Sequence, residues 1–386
     1  MKKIGLLLPR STYYASIGVD IHQGLKQGFL AQKKYVPQIV SENIGFGTDP
    51  QLCYNLVEKM LLSSEIEVVI AYISHKTAQM IRPLFKAMNK ILIVLDSGAN
   101  LPQEWPRSSN TLYHSLHNSL GNFLVSEMAA KQGLTKAVNV TGYYDGGYLH
   151  SHAGYIGFSE AGGIILYNHA TGYKRDDFNL HELKKWFDSG NSADCLLSLF
   201  SGDYVQWYFE ELQANFSPGQ FTVILPPFGL EESVLAESPF PNQSLLGLAS
   251  WSEKLLNEEN LVFIDSMLSS GKSANLFSLL GYEASLLASS ILELMEKYQH
   301  NGKEVCRDIM EMEFQTPRGK LLFEQTTQTS MAPMYQSKVV PDEKGMCQLE
   351  IIGDVNLHQI KEAYIKMVSK PLNSATSGWV NSYTCI

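Results

Sequence analysis

Glu67-Val68-Val69-Ile70-Ala71-Tyr72-Ile73, a helical stretch over Lys76–Met88, and then Ile91-Leu92-Ile93-Val94-Leu95 form the stretch that decides the fold. Two apolar runs of strand length, continuous rather than alternating, describe strands covered on both faces. The amphipathic segment between them supplies the crossover that a parallel pair requires. The same step reads upstream. Ile4–Leu8 is a strand, and Ile21, Leu25 and Phe29 form a helical stripe at i, i+4, i+8. Tyr35–Val40 is a second strand, and Asp49 opens a helix carrying Leu52, Leu56 and Met60. The pattern is a doubly wound parallel sheet.

Downstream the rhythm restarts. Ala137–Val140, Gly163–Tyr167, Cys195–Phe200 and Phe221–Leu225 read as strands, separated by helices around Leu149–Glu160, Leu180–Phe187 and Asp203–Leu212. Two α/β sets thus share one chain, divided near the polar segment Gln103–Asn110. Helical stretches follow around Ser252–Leu268 and Tyr282–Tyr298, then a strand-rich tail with Lys320–Phe323, Ser337–Val340 and Gln348–Ile352.

A chain of 386 residues, 45% hydrophobic and 18% charged, has room for about two domains with proper cores. Its 39 acidic and 30 basic side chains leave a net charge of −9, which argues against a nucleic-acid backbone or an anionic membrane as main partner. The five cysteines, Cys53, Cys195, Cys306, Cys347 and Cys385, are dispersed and form no CxxC, so zinc-ribbon and disulfide-scaffold readings fall. No uninterrupted apolar run has the length of a membrane span. Met1-Lys2-Lys3 before Ile4–Leu8 imitates the start of a signal peptide, but Pro9-Arg10-Ser11 ends the run early. The expectation is a first buried strand, in a protein that is cytoplasmic or whose signal was removed ahead of this numbering.

Motifs for catalysis and cofactors fail on inspection. Gly271-Lys272-Ser273 has Ser266 where a P-loop needs its first glycine, and it follows a helix rather than a strand. No GxGxxG follows the first strand, and no GxSxG nucleophile elbow occurs. His114 with His117, and His150 with His152, lack carboxylates at metal-ligand spacing, so they read as surface or turn histidines. Asp176-Asp177 and Glu231-Glu232 read as solvated turns. No catalytic residue, metal or cofactor is expected.

The polar and aromatic residues gather where strands end. Open parallel sheets bind ligands at the carboxyl ends of their strands. There the first set offers Ser11-Thr12-Tyr13-Tyr14, Ser74-His75-Lys76-Thr77 and Asp96-Ser97-Gly98-Ala99-Asn100. The second offers Gly142-Tyr143-Tyr144-Asp145-Gly146-Gly147-Tyr148, Ser201-Gly202-Asp203-Tyr204 and Pro226-Pro227-Phe228-Gly229. Any one of these loops is explained by turn and cap preferences alone. Together they describe a cleft whose hydroxyls and N–H groups hold a polar head and whose rings enclose an apolar body.

These residues resemble the type I periplasmic binding proteins, in particular the branched-chain amino acid (Leu/Ile/Val)-binding class of ABC transporter substrate-binding proteins. The resemblance rests on Ile4–Pro9 with Gly18, on Val68–Gln79, on Gly281-Tyr282-Glu283-Ala284, and on Phe314–Gly319 followed by Phe323-Glu324. It implies two Rossmann-like lobes joined by three crossovers, lobe 1 being 1–117 plus 252–328 and lobe 2 being 118–251 plus 329–386, with the ligand cleft between them. Carried over, Ser74 and His75 grip the polar head, and Ser97, Gly98 and Ala99 supply neighbouring contacts. Tyr144, Asp145 and Tyr148 give an aromatic wall, Phe200, Gly202 and Phe228 the next loops, and Trp251 lies near a hinge crossing. Tyr13 and Tyr14 belong to the first loop. Amino-acid binders of this class place an acid where Phe228 stands, to pair the ligand's ammonium. An unpaired buried ammonium is costly, so the resemblance points away from a free amino acid unless Asp145, Asp203 or Glu231 substitutes.

A solute-binding protein that captures a small polar ligand (amino acid-like, amide or small carboxylate) by hinge closure, for the membrane subunits of an ABC transporter, is the expected function. Tyr72-Ile73-Ser74-His75 and Thr316–Gln328 also resemble the amide-sensing subgroup, which implies a cytoplasmic sensor acting on a regulatory partner as the alternative. An α/β enzyme working in the cleft is a third, weaker reading. Ser74→Ala is expected to weaken binding with little effect on the melting temperature.

Overall fold

The computed structural model describes residues 2–12, 14–99, 108–142 and 147–369. They form two compact units. Among the described residues, unit 1 takes the chain up to Leu116 and again Leu255–Pro333; unit 2 takes His117–Lys254 and residues 334–369.

Unit 1 opens with β1 (Lys3–Leu8), α1 (Ile17–Ala31), β2 (Gln38–Asn43), α2 (Pro50–Leu61), β3 (Ile66–Tyr72), α3 (His75–Ala87), β4 (Ile91–Asp96) and β5 (Thr111–Ser115). Unit 2 follows with α4 (Asn118–Lys131), β6 (Lys136–Thr141), α5 (Gly147–Glu160), β7 (Ile164–Ala170), α6 (His181–Asp188), β8 (Cys195–Leu199), α7 (Asp203–Asn215), β9 (Thr222–Leu225), α8 (Glu232–Leu235) and β10 (Ser244–Ala249). The chain returns to unit 1 for α9 (Glu258–Ser269), α10 (Leu276–Lys297), α11 (Gly302–Glu311), β11 (Phe314–Thr316), β12 (Gly319–Glu324) and β13 (Thr329–Met331). It ends in unit 2 with β14 (Met334–Pro341), β15 (Cys347–Val355) and α12 (Leu357–Val368).

The unit 1 sheet runs β11-β12-β13-β5-β4-β3-β1-β2, and the unit 2 sheet β15-β14-β10-β9-β8-β6-β7. The expected parallel pairing holds from β2 to β5 and from β7 to β10. Each sheet also carries antiparallel strands at one edge, which the β-α rhythm did not announce. In unit 1 the strand order reverses at β1, which lies between β2 and β3; in unit 2 it reverses at β6, between β7 and β8. These switch points are where open sheets part at their carboxyl ends to admit ligands.

Local chemistry accounts for the elements. Every residue of β3 is buried, as its unbroken apolar run requires. Asp49 caps α2 by accepting the N–H groups of Gln51 and Leu52, with Pro50 in the first turn. Leu7, Val69, Leu92 and Val94 share one core with Cys53, Val57, Ile81 and Phe85, so α2 and α3 cover that face of the sheet. On the opposite face α1 packs along α10, which lies across β3, β4 and β5. The stripe Ile21, Leu25, Phe29 is buried there. Small residues set the approach of the two helices. A methyl group added at Gly24 would overlap the Ser278 carbonyl, and one at Gly281 the carbonyl oxygen of Ile21. Unit 2 repeats the device, with Gly157 of α5 against the backbone of Phe123 in α4. α10 is long and apolar enough to cross a membrane, yet 78% of its most apolar window is buried inside the protein. Here it is a core helix. The four described cysteines are free and buried.

Candidate functional site

In unit 1, the loops after β1 and β3 flank the switch point. Ser11 Oγ accepts the Tyr14 N–H at 3.1 Å. The Tyr14 ring meets Phe277 edge-on with centroids 4.8 Å apart, and Tyr72 lies 6.3 Å from the same ring. Phe277 stands in the first turn of α10, after no strand, so the rule of reading strand ends passes over it.

Ser74 is the N-cap of α3. Its Oγ accepts the Thr77 N–H at 3.1 Å and lies 3.0 Å from Thr77 Oγ1. The hydroxyl therefore stabilises the helix as well as facing the loop, which revises the expectation that its loss leaves the melting temperature alone. Ser74→Ala should lower stability by about 1 kcal/mol, visible as a reduced thermal midpoint of the ligand-free protein. An unchanged midpoint would count against the cap.

His75 follows, 1% exposed, with Nε2 at 3.7 Å from Asp96 Oδ2 and its ring 4.6 Å from that of Tyr113. Burial, reinforced by the Arg82 guanidinium, pushes its pKa down to about 3. The imidazole is therefore neutral near neutral pH and presents a dipole rather than a cation. Beside it, Ser97 and Ala99 are buried and Gly98 holds φ at +100°, a left-handed turn that suits glycine. Ser74, His75, Ser97, Gly98 and Ala99 thus sit on the adjacent ends of β3 and β4.

Behind them lies a polar cluster that the sequence did not reveal. Ser115 Oγ donates to Asp96 Oδ2 at 3.3 Å, and the Leu116 N–H donates to the Asp96 carbonyl at 3.0 Å. The Ser115 carbonyl accepts from both terminal nitrogens of Arg318 at 3.4 Å. Arg318 also grips Glu283, Nη2 donating to Oε2 at 2.7 Å and Nε at 3.1 Å. His114 Nε2 lies 3.2 Å from the same carboxylate, and its Nδ1 lies 2.9 Å from Ser330 Oγ. Glu283, ionised beside Arg318, can only accept, so a neutral His114 carries its proton on Nε2 facing that carboxylate and its Nδ1 accepts from the Ser330 hydroxyl. Burial alone would raise the Glu283 pKa, but Arg318 first and His114 second bring it down to about 2. His114 and Glu283 are both fully buried.

His114 is therefore a core residue, not the surface or turn histidine its sequence suggests, because its partner comes from the remote helix α10. His117 and His150 are likewise buried. Among the described residues, no three His, Cys, Asp or Glu side chains gather as a metal site. Gly271, at φ +75°, closes the turn after α9 where the truncated P-loop motif falls.

In unit 2, the Phe200 ring stacks on Tyr208 at 4.4 Å and meets Phe178 at 5.8 Å, while Gly202 starts α7 at φ +54°. Tyr204 Oη donates to the Tyr173 carbonyl at 2.6 Å. Phe228 sits in a short 3-10 turn, its ring buried and its N–H donating to Asn118 Oδ1 at 2.9 Å. Trp251, buried after β10, adjoins Ser252 and Glu253, which donate to Glu232 at 3.1 and 2.7 Å. Burial pushes the Glu232 carboxyl up to about 7. Glu231 accepts the Val234 N–H and so caps α8, which engages one of the acids that could have replaced Phe228. Asp203 is exposed in the first turn of α7. Tyr13, Tyr144 and Asp145 lie outside the described residues, as does the side chain of Tyr148.

A family model described as periplasmic binding protein matches residues 2–345. A comparison with curated proteins finds no match. Among solved structures, the chain is similar to an ABC transporter solute-binding protein from Rhodopseudomonas palustris BisB5 in complex with 3,4-dihydroxybenzoic acid, at 16% identity and a TM-score of 0.74, covering 92% of this chain and 97% of that one. An ABC transporter substrate-binding protein from Sphaerobacter thermophilus gives 15% identity and a TM-score of 0.77, with 92% and 98% covered. An amino acid ABC transporter substrate-binding protein from Pseudomonas fluorescens Pf-5 gives 11% and 0.70, with 100% and 98% covered. Identities this low speak for a shared fold.

Proposed function

We propose, from the premise that this chain belongs to the periplasmic binding protein family, that it captures a small polar solute without an ammonium group for an ABC transporter. Binding, not turnover, is the activity of such a protein, and ligand contacts shift a pre-existing equilibrium toward a closed form. The structures it resembles come from ABC transporters, which favours the transporter reading over a sensor. Capture then takes place in the periplasm, and the membrane subunits of the transporter are the partners.

The paired ends of β3 and β4 carry the ligand reading. The Ser74 and Ser97 hydroxyls and the N–H groups opening α3 suit a carboxylate or an amide oxygen. A neutral His75 adds no charge requirement. In unit 1 the Tyr14 ring, edge-on to Phe277, suits an apolar ligand body. At Phe228 a ring stands in place of a carboxylate, so an ammonium there stays unpaired. The bound 3,4-dihydroxybenzoic acid of the Rhodopseudomonas protein is a compound of the favoured kind.

A thermal-shift series tests this. With 3,4-dihydroxybenzoate, benzoate, acetamide and leucine, the carboxylates or the amide should raise the midpoint most. A ligand at a hundredfold excess over its Kd adds about 2.7 kcal/mol. A larger shift with leucine than with every other compound would overturn the reading.

A further inference from the structure

We propose that Arg318 and Glu283 are positioning residues for ligand capture: through the Ser115 carbonyl they hold β5, and through Ser115 they fix the β4 loop that carries Asp96, Ser97 and Gly98. The proposal rests on the ligand reading above for its function, but its physical content concerns unit 1 alone.

The contacts form one continuous chain. Glu283 projects from α10 and takes Nε and Nη2 of Arg318. The far side of the same guanidinium reaches the Ser115 carbonyl, where Nη1 and Nη2 both lie at 3.4 Å. Ser115 pairs in register with Asp96 and donates its hydroxyl to the Asp96 carboxylate. Asp96 in turn stands 3.7 Å from His75, the first residue of α3. His114, one residue before Ser115, returns to Glu283 and to Ser330 on β13. β5 and β13 are the strands after which the chain leaves unit 1. A planar guanidinium satisfies a carboxylate and a carbonyl at once, in fixed directions; an ammonium on a flexible stem does not.

A cluster serving only the core would, when removed, loosen unit 1 throughout. A positioning cluster loosens the β4 and β5 ends and spares β1, which β3 separates from β4. The double variant Arg318→Met/Glu283→Leu replaces the ion pair with apolar groups, an exchange that buried pairs often tolerate without loss of fold. Hydrogen exchange of the ligand-free protein, read by mass spectrometry, separates the two roles. Amides of residues 92–99 and 111–116 should exchange at least tenfold faster in the double variant, and those of β1 at the wild-type rate. Equal acceleration in β1, or no acceleration at 92–99, overturns the proposal.

Should the double variant fail to fold, Arg318→Lys decides. It keeps the charge beside Glu283 and gives up the simultaneous grip on Ser115, so the same amides should lose protection at least threefold with β1 unchanged. Retained protection at 92–99 overturns the proposal. Failure of the ligand reading shows separately, in the thermal-shift series on the wild-type protein.

Discussion

Gly281→Ala should destabilise the protein by about 3 kcal/mol, a loss seen as a lower thermal midpoint by circular dichroism. In the middle of a helix this substitution ordinarily stabilises, by up to about 1 kcal/mol. Here the added methyl meets the Ile21 carbonyl oxygen and the Leu25 backbone nitrogen across the helix pair. Backbone atoms cannot rotate away as a flexible side chain can, so α1 and α10 must separate. That separation loosens the contacts of Ile21, Leu25 and Phe29, all buried. Lys26→Ala, on the exposed side of α1, is the control and should leave the midpoint near its wild-type value. A Gly281→Ala protein as stable as wild type would mean that the helices are not held this close.

Arg318→Met is the second severe change. It leaves the Glu283 carboxylate buried with only His114 beside it, and breaking a buried pair on one side costs about 3–5 kcal/mol. The effect depends on pH, and its sign follows from the pKa. Glu283 is held at about 2, below its ordinary 4.5. Its contribution is complete above the ordinary value and is lost as pH falls toward 2. Without Arg318 nothing strong opposes burial, so the carboxyl takes up its proton more readily and escapes the penalty in acid. In Arg318→Met burial holds the carboxyl above its ordinary 4.5, so the stability gap is widest near neutral pH, is already shrinking above 4.5 as pH falls, and goes on shrinking toward 2. His75, held neutral by burial, also costs stability in acid, but it does so in both proteins and cancels from the gap. Midpoints measured from pH 7 to pH 3 check this; a gap of constant size would sink the argument.

The strands buried on both faces were the legible part of the fold. β3 and β4 announce themselves because parallel strands under helices need apolar residues at every position. Elements whose environment is supplied from far away in the chain did not. Thr111-Leu112-Tyr113-His114-Ser115 looks polar, yet it is a fully buried strand, its polar atoms met by Ser330, Glu283 and Gln328. α4 is buried on nearly all sides, so it shows no stripe to read. At β2 the apolar residues Tyr35 and Val36 drew the expected strand too early. They are exposed, and the strand starts at Gln38, at a sheet edge where polar residues suffice.

The same division runs through the candidate site. Ser74, His75 and Ser97–Ala99 were legible because they end recognisable strands. Phe277 follows a loop into a helix and shares no such position. Glu283 and Arg318 stand out in the sequence only through a family resemblance, since nothing local marks a carboxylate on an apolar helix as the partner of an arginine in a β-turn. Their pairing is a property of the folded sheet.

The contact of α1 with α10 also sets a timetable for biosynthesis. α1 is finished when residue 31 has left the ribosome, but the helix that covers its apolar side ends at Lys297. Between them the ribosome makes most of unit 2, which takes on the order of half a minute at an elongation rate of roughly 5–20 residues per second. Throughout that interval Ile21, Leu25 and Phe29 lack their cover, and the first five strands of unit 1 lack a layer on one face. Unit 2, though second in the chain, receives most of its elements before unit 1 can close. The nascent chain is therefore most in need of a chaperone in the window before α10 emerges.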